Sequence, residues 1–287
     1  GGLLLIHMLN ALENFNIDTL GWNSTDYVHL LTEIAKRAYA DRAQHLGDPD
    51  YWDNPRNMFL SKDYAKKRIS NISMDIYTPS KEVYSGIYND NEGIETTHYS
   101  VVDKQGNAVA ITTTLNTNFG NKHIVEGAGF LLNNEMDDFS SKPGTANAWG
   151  LIGGKANAIE PNKRPLSSMT PTILMYNGQP IMTIGSPGGS KIITTVLQSI
   201  LNVLVHDMDI KEAVCAPRFH HQWIPENTIY IESNGLSRDI ITNLESRGHI
   251  IKTYGGGYMG VANGIIISDD GLYGGGDCRN ETSAIGY

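Results

Sequence analysis

The chain has 287 residues, 40% of them hydrophobic and 18% charged, with 30 Gly, 11 Pro and 2 Cys. That length supports a sizeable core in one or two domains, and the composition excludes collagen, coiled coil and intrinsic disorder. A formal charge of −9 with no Lys/Arg run leaves no electrostatic footprint for nucleic acid and favours a small or cationic partner.

No apolar run approaches the roughly 18 residues of a membrane span. The longest, Leu3 to Leu12, is broken by His7 and Asn10 and lacks a basic leader or cleavage site. The chain opens on Gly1-Gly2 and enters an apolar helix at once, which suggests a piece of something longer. Cys215 and Cys278 allow at most one bridge, and their spacing suits no zinc site.

In chain order, residues 3–15 read as a helix and 25–46 as a longer one. Its apolar stripe is Val28, Leu31, Ala35, Ala38 and Ala43, with Ser24 or Thr25 as N-cap and Gly47 as stop. A turn-rich stretch (48–55) and a short helix (62–70) follow. Residues 71–95 have no clear period and read as an exposed loop or linker. From Thr96 the character changes. Residues 97–103 and 108–116 are β-rich runs joined by Gln105-Gly106-Asn107, and 172–176 and 180–186 flank Asn177-Gly178, a strong hairpin signal. A nearly all-apolar helix covers 190–206, and 237–247 is a helix closed by Gly248. Residues 229–232, 250–254 and 261–268 read as late strands. Helices, then paired strands, then packed helices indicate layered α+β architecture.

Several sites that carry chemistry elsewhere fail here. Gly185 to Lys191 lacks the Gly that must precede Lys in a phosphate loop and contains Pro187. His220 and His221 are adjacent and point apart, Asp137-Asp138 has no spaced partner for a metal, and no Gly-x-Ser-x-Gly elbow exists. What remains is the strand start Thr96-Thr97-His98. Cleavage of Glu95–Thr96 would set an α-amine beside the Thr96 hydroxyl. Such an amine titrates near 7.7–8.0 and serves as the base that a Thr nucleophile needs. Gly188-Gly189 lead into the apolar helix, where unpaired backbone N–H groups suit an oxyanion.

Five segments in order give a resemblance. Thr96–Asp103, Leu131–Phe139, Asn162–Met169, Gly185–Ser190 and Ala216–Trp223 resemble the γ-glutamyltranspeptidases over essentially the whole chain. The resemblance implies a four-layer αββα sandwich of the N-terminal nucleophile hydrolase type. Residues 1–95 would be the end of the large-subunit segment and 96–287 the small catalytic subunit, with an N-terminal half missing. It implies autoproteolysis at Glu95–Thr96, then transfer of a γ-glutamyl group from glutathione or related donors to water, amino acids or peptides.

By motif match Thr96 would be the nucleophile and Thr114 would orient it. Asn116, Glu135 and Asp138 would hold the donor α-amino group, Ser167 and Ser168 its α-carboxylate, and Gly188 and Gly189 the oxyanion. Residues 143–161 resemble a lid loop, with Trp149 as its gating aromatic. His98, His220 and His221 would be structural, and Cys278 has no assigned role. No metal or organic cofactor is implied, since nucleophile, base and oxyanion donors are all protein groups. Family members are periplasmic, extracellular or tethered outside the cell.

One departure stands out: the family's Arg for the donor α-carboxylate would come from the missing half, leaving only the neutral Ser167 and Ser168. Two alternatives stay open, a glutaryl-type acylase on the same scaffold and an uncut precursor fragment without turnover.

Overall fold

The computed structural model describes residues 1–83, 96–140, 142, 144–147, 150–255 and 257–287. Glu95 and Trp149, and with them the expected cleavage bond and the gating aromatic, lie outside the described residues. The helical part comprises α1 (Gly2–Leu12), α2 (Thr25–His45), α3 (Arg56–Leu60) and α4 (Lys62–Ile69). The rest is built from β1 (Thr97–Val102), β2 (Ala108–Thr113), β3 (Thr172–Tyr176), β4 (Gln179–Gly185), α5 (Ile192–Leu204), α6 (Ile210–Cys215), β5 (Phe219–His220), β6 (Thr228–Ile231), α7 (Arg238–Ser246), β7 (Ile250–Thr253), β8 (Asn263–Ser268) and β9 (Gly271–Gly276).

Seventeen of the 21 residues of α2 are buried, so this helix runs through the interior rather than along a surface. Ser24 caps it, accepting a hydrogen bond from the Tyr27 amide at 3.2 Å and satisfying one of the orphan donors of the first turn. Leu30, Ile34 and Ala38 of α2 join Leu4, Leu5 and Met8 of α1 and Ile193, Val196, Leu197 and Ile200 of α5 in one core. The expected helix at 3–15 ends three residues early, at Leu12. Residues 190–206 begin instead with a 3-10 turn, Gly189–Lys191.

Three sheets result: the β1-β2 ribbon, the order β3-β4-β8-β9, and β5-β6-β7. The first two face each other, with the His98 ring of β1 filling the space a Cβ on Gly185 of β4 would need. Helix α5 packs on the other face of the four-stranded sheet. A helix layer, a sheet and a second sheet are therefore stacked in the α+β manner expected. The opposite face of the ribbon carries Tyr99, Val101 and Val109, each exposed.

Residues 71–83 differ from the expected open linker: Thr78, Ser80 and Val83 are buried. Lys36 Nζ donates to the Thr78 carbonyl at 2.6 Å, and Arg37 Nη2 to the Thr78 hydroxyl at 3.0 Å. Trp223 and Ser80 exchange two bonds, indole Nε1 to the Ser80 carbonyl at 3.1 Å and the Ser80 hydroxyl to the Trp223 carbonyl at 2.6 Å. Without a hydrophobic period to announce it, this stretch is fixed by polar groups on other elements.

Candidate active site

Thr96 lies one residue before β1 and Thr114 one residue after β2. The antiparallel register pairs Thr97 with Thr113, which sets Thr96 across from Thr114. The Thr96 hydroxyl donates to Thr114 Oγ1 at 3.2 Å. Asn116 then takes a left-handed φ of 75°, a region Asn tolerates better than most residues. That turn brings its amide back to Thr114 Oγ1 at 2.8 Å and sends its side-chain Nδ2 to the Asn134 carbonyl at 3.1 Å. The Asn134 side chain accepts from Thr117, amide at 3.1 Å and hydroxyl at 3.0 Å, stitching the exit of the ribbon to the 133–138 segment.

The next residue, Glu135, opens a 3-10 turn that ends at Asp138, so the two carboxyls share one side of a single turn. Burial and then the negative charge of Glu135 push the Asp138 carboxyl up to about 7, while Arg42 opposes the shift. Burial also raises Glu135, whose Oε1 is buried without a hydrogen-bond partner among the described residues. Asn147 donates to Asp138 Oδ1 at 3.3 Å. Two half-buried carboxyls that repel one another and lack full compensation suit a cationic ligand.

Asn157 ties this turn to the Ser167-Ser168 segment. Its Nδ2 donates to the Asp138 carbonyl at 2.7 Å and its Oδ1 accepts from the Leu166 amide at 2.9 Å. Asp48 anchors the same segment by accepting from Arg164, amide at 2.8 Å and Nε at 2.9 Å, and those bonds hold its carboxyl well below the usual range. The Ser168 hydroxyl accepts from Arg42 Nη2 at 3.1 Å, and Ser167 Oγ accepts from the Met169 amide at 3.1 Å.

Gly188 and Gly189 have φ values of 136° and 56°, conformations that a side chain would strain. A Cβ on Gly188 would sit 3.0 Å from the Gly260 Cα, so the two backbones touch directly. Pro187, Gly260 and Thr96 line one groove of about 2010 Å³, together with His98 and Thr117. Glu135, Asp138, Ser167 and Ser168 do not line it; their link to Thr96 runs through Asn116 and Asn134.

The histidines are occupied elsewhere. His98 bonds Thr112 at 2.8 Å and Ser100 at 3.1 Å, and burial lowers it to about 4. His220 meets Thr194 at 2.7 Å and Gln222 at 2.8 Å, and His221 meets the Thr228 carbonyl at 2.7 Å. No group of three or more potential metal ligands occurs among the described residues.

Sequence reasoning missed Arg42 and Asn157. A signal for Arg42 was present: Val28, Leu31, Ala35, Ala38 and residue 42 follow helical spacing, so a charged residue sits on the buried stripe. Asn157 offered none, lying in a loop whose partners are distant in sequence.

A family model described as γ-glutamyltranspeptidase matches residues 1–287. The chain belongs to the γ-glutamyltranspeptidase family. It is 47% identical over 281 residues to the glutathione hydrolase proenzyme of Escherichia coli (strain K12), a match covering 98% of this chain and 48% of that protein. The chain thus spans about half the length of the curated relatives it matches. A solved γ-glutamyltranspeptidase from Pseudomonas nitroreducens, in complex with L-DON, superposes with a TM-score of 0.64 at 44% identity, covering 67% of this chain and 99% of that one. A cephalosporin acylase from Bacillus halodurans shares the fold over the full chain, TM-score 0.79 at 23% identity, covering 50% of its own length. The fold is therefore that of the N-terminal nucleophile hydrolases.

Proposed function

We propose that this chain carries the catalytic centre of a γ-glutamyltranspeptidase and glutathione hydrolase that matures by cleavage of Glu95–Thr96. The observation that carries the reading is the Thr96–Thr114 pair at the open end of the ribbon, linked through Asn116 and Asn134 to the paired carboxyls of Glu135 and Asp138. The share of this chain covered by the Pseudomonas nitroreducens enzyme chain equals that of residues 96–287, which supports a mature piece beginning at Thr96.

In this mechanism the freed Thr96 amine takes the hydroxyl proton as Oγ1 attacks the donor γ-carbonyl carbon. Negative charge on the carbonyl oxygen is met by the backbone amides of Gly188 and Gly189, which follow Pro187 at the edge of the groove. The C–N bond of the donor breaks, the leaving amine takes the proton, and a γ-glutamyl ester remains on Thr96. Water, an amino acid or a peptide then attacks that ester and returns the proton to Thr96. Asn116, Glu135 and Asp138 hold the donor ammonium, and Ser167 and Ser168 its carboxylate. A glutaryl-type acylase substrate has no ammonium to place against Glu135 and Asp138, which favours glutamyl donors.

The partner of the chain is the N-terminal half carried by its longer relatives, and the exposed Tyr99, Val101 and Val109 offer it a face. The Cys215–Cys278 disulfide fits an oxidising compartment such as the periplasm or the cell exterior.

Intact mass after incubation at neutral pH, followed by assay of γ-glutamyl anilide release with and without the N-terminal half, tests the reading. Pieces 1–95 and 96–287, absent in Thr96→Ala, together with anilide release support it. An uncut chain with no release even when the N-terminal half is supplied would overturn it.

A further inference from the structure

We infer that Arg42 is a positioning residue for donor recognition: it holds the Ser168 hydroxyl so that its proton faces the donor α-carboxylate. The inference rests on the glutamyl reading of the site above.

Arg42 lies on α2, outside every segment that the family resemblance marks, and is 4% exposed. Its Nη2 donates to Ser168 Oγ at 3.1 Å. A hydroxyl that accepts from a guanidinium keeps one proton of its own, and the positive charge behind it makes that proton a better donor. Ser168 is 9% exposed, so little bulk water competes for that proton. Arg42 Nε is buried with no hydrogen-bond partner among the described residues, leaving an unspent donor beside the same hydroxyl.

The same guanidinium acts on the other half of the cradle. Its charge works against the burial and the Glu135 repulsion that raise Asp138, so it helps to keep that carboxyl ionised for the donor ammonium. The charged groups facing Asp138 are Glu135 and Asp137 on its own turn and Arg42 across from it; Arg42 faces Asp138 and the Tyr39 phenol, which burial keeps protonated and neutral. Burial lowers Arg42 from its ordinary value, yet a guanidinium stays charged at any working pH. One residue therefore supports both the carboxylate and the ammonium subsites, and it does so through groups that touch the donor.

The test uses this chain expressed with the N-terminal half of its relatives and two donors, a γ-glutamyl anilide and its α-carboxamide. Arg42→Gln should raise KM for the first about 10- to 100-fold, the worth of a charged hydrogen bond, with kcat little changed. The loss should largely vanish with the α-carboxamide, and Ser168→Ala should add little to Arg42→Gln. Arg42→Lys, which keeps the charge and loses the fork, should show the same donor selectivity in weaker form and serves if Arg42→Gln does not fold. Equal losses with both donors, or full additivity with Ser168→Ala, would overturn the inference.

If the unsubstituted enzyme turns over neither donor, the catalytic reading fails, and calorimetric binding of L-glutamate then decides on Arg42. Binding weakened about tenfold by Arg42→Gln sustains its role. Equal affinity, or no binding at all, removes it.

Discussion

The Thr96 hydroxyl donates to the Thr114 hydroxyl 3.2 Å away, and the Thr114 oxygen takes the Asn116 amide as well at 2.8 Å. With two donors aimed at it, the Thr114 oxygen has a fixed position and in turn fixes the rotamer of Thr96. Thr114→Ala removes that constraint and one anchor of the Asn116 amide, while leaving Glu135, Asp138, Ser167 and Ser168 untouched. It should lower kcat about 10- to 100-fold with donor KM nearly unchanged, and Thr114→Ser should restore most of the loss. Steady-state kinetics with a γ-glutamyl anilide reads both numbers. A rise in KM alone would place Thr114 in binding instead.

Glu135 and Asp138 set the expected pH response. Because burial and Glu135 push Asp138 up to about 7, it is largely protonated in mild acid and a poor partner for the donor ammonium. An acid limb in kcat/KM near pH 7 should follow. Glu135→Gln removes the like charge, lowers Asp138, and should move that limb to lower pH. If the limb stays, it belongs to the Thr96 amine, the other base of the site. The sign for stability is the opposite. A carboxyl whose folded value lies above its unfolded value favours the folded state when protonated, so its contribution is lost as pH rises from about 4 through 7. Asp138→Asn should flatten that part of the Tm profile.

Much of this site was legible before any coordinates because hairpins announce themselves. The Gln105-Gly106-Asn107 turn fixes the register that sets Thr96 across from Thr114, and the Asn177-Gly178 turn leads β4 to Gly188. The helices α2 and α5 were readable from period and caps. The short elements α3, α6, β5 and β9 were not, since a few residues of any period look alike. Arg42, Asn157 and the anchoring of residues 77–80 depend on partners far away in sequence, and local patterns hold no record of them. Glu33, Lys36 and Arg37 of α2 are likewise buried, although charges at such positions ordinarily lie on a solvated face.

Cys215 and Cys278 form a disulfide across 63 residues, a pairing the spacing allowed but did not require. Its neighbour Asp277 accepts from Arg218 at 2.6 Å, and Arg218 in turn donates to the Met259 and Gly260 carbonyls at 3.1 Å and 3.0 Å. The bridge thus fastens the support behind the turn that touches Gly188. Closing a loop of that length is worth about 4 kcal/mol in the chain-entropy model. Cys215→Ser with Cys278→Ser should lower stability by up to that amount in urea unfolding. Activity per folded molecule should fall less than stability does, because Arg218 and Asp277 remain paired.

The cluster on α2 yields a test of a different kind. Glu33 binds Arg37 Nη1 at 2.7 Å, pairs with Lys36, and accepts the Thr78 amide at 3.2 Å. Burial alone would raise its carboxyl, and Lys36 and Arg37 outweigh burial and hold it below the ordinary value. Glu33→Gln leaves two buried cations uncompensated and should cost about 3–5 kcal/mol, more than either cation's removal with a partner left behind. Replacing all three by apolar residues of similar volume should cost much less, since the desolvation penalty disappears with the charges. Because the carboxyl is depressed in the folded chain, its contribution is present above its unfolded value near 4.5 and is lost as pH falls through the lower folded one. Urea unfolding of the single and triple variants between pH 3 and 7 reads both effects. Equal destabilisation by the two variants would mean that α2 is held by shape alone, and the charges would then have no part in clamping residues 77–80.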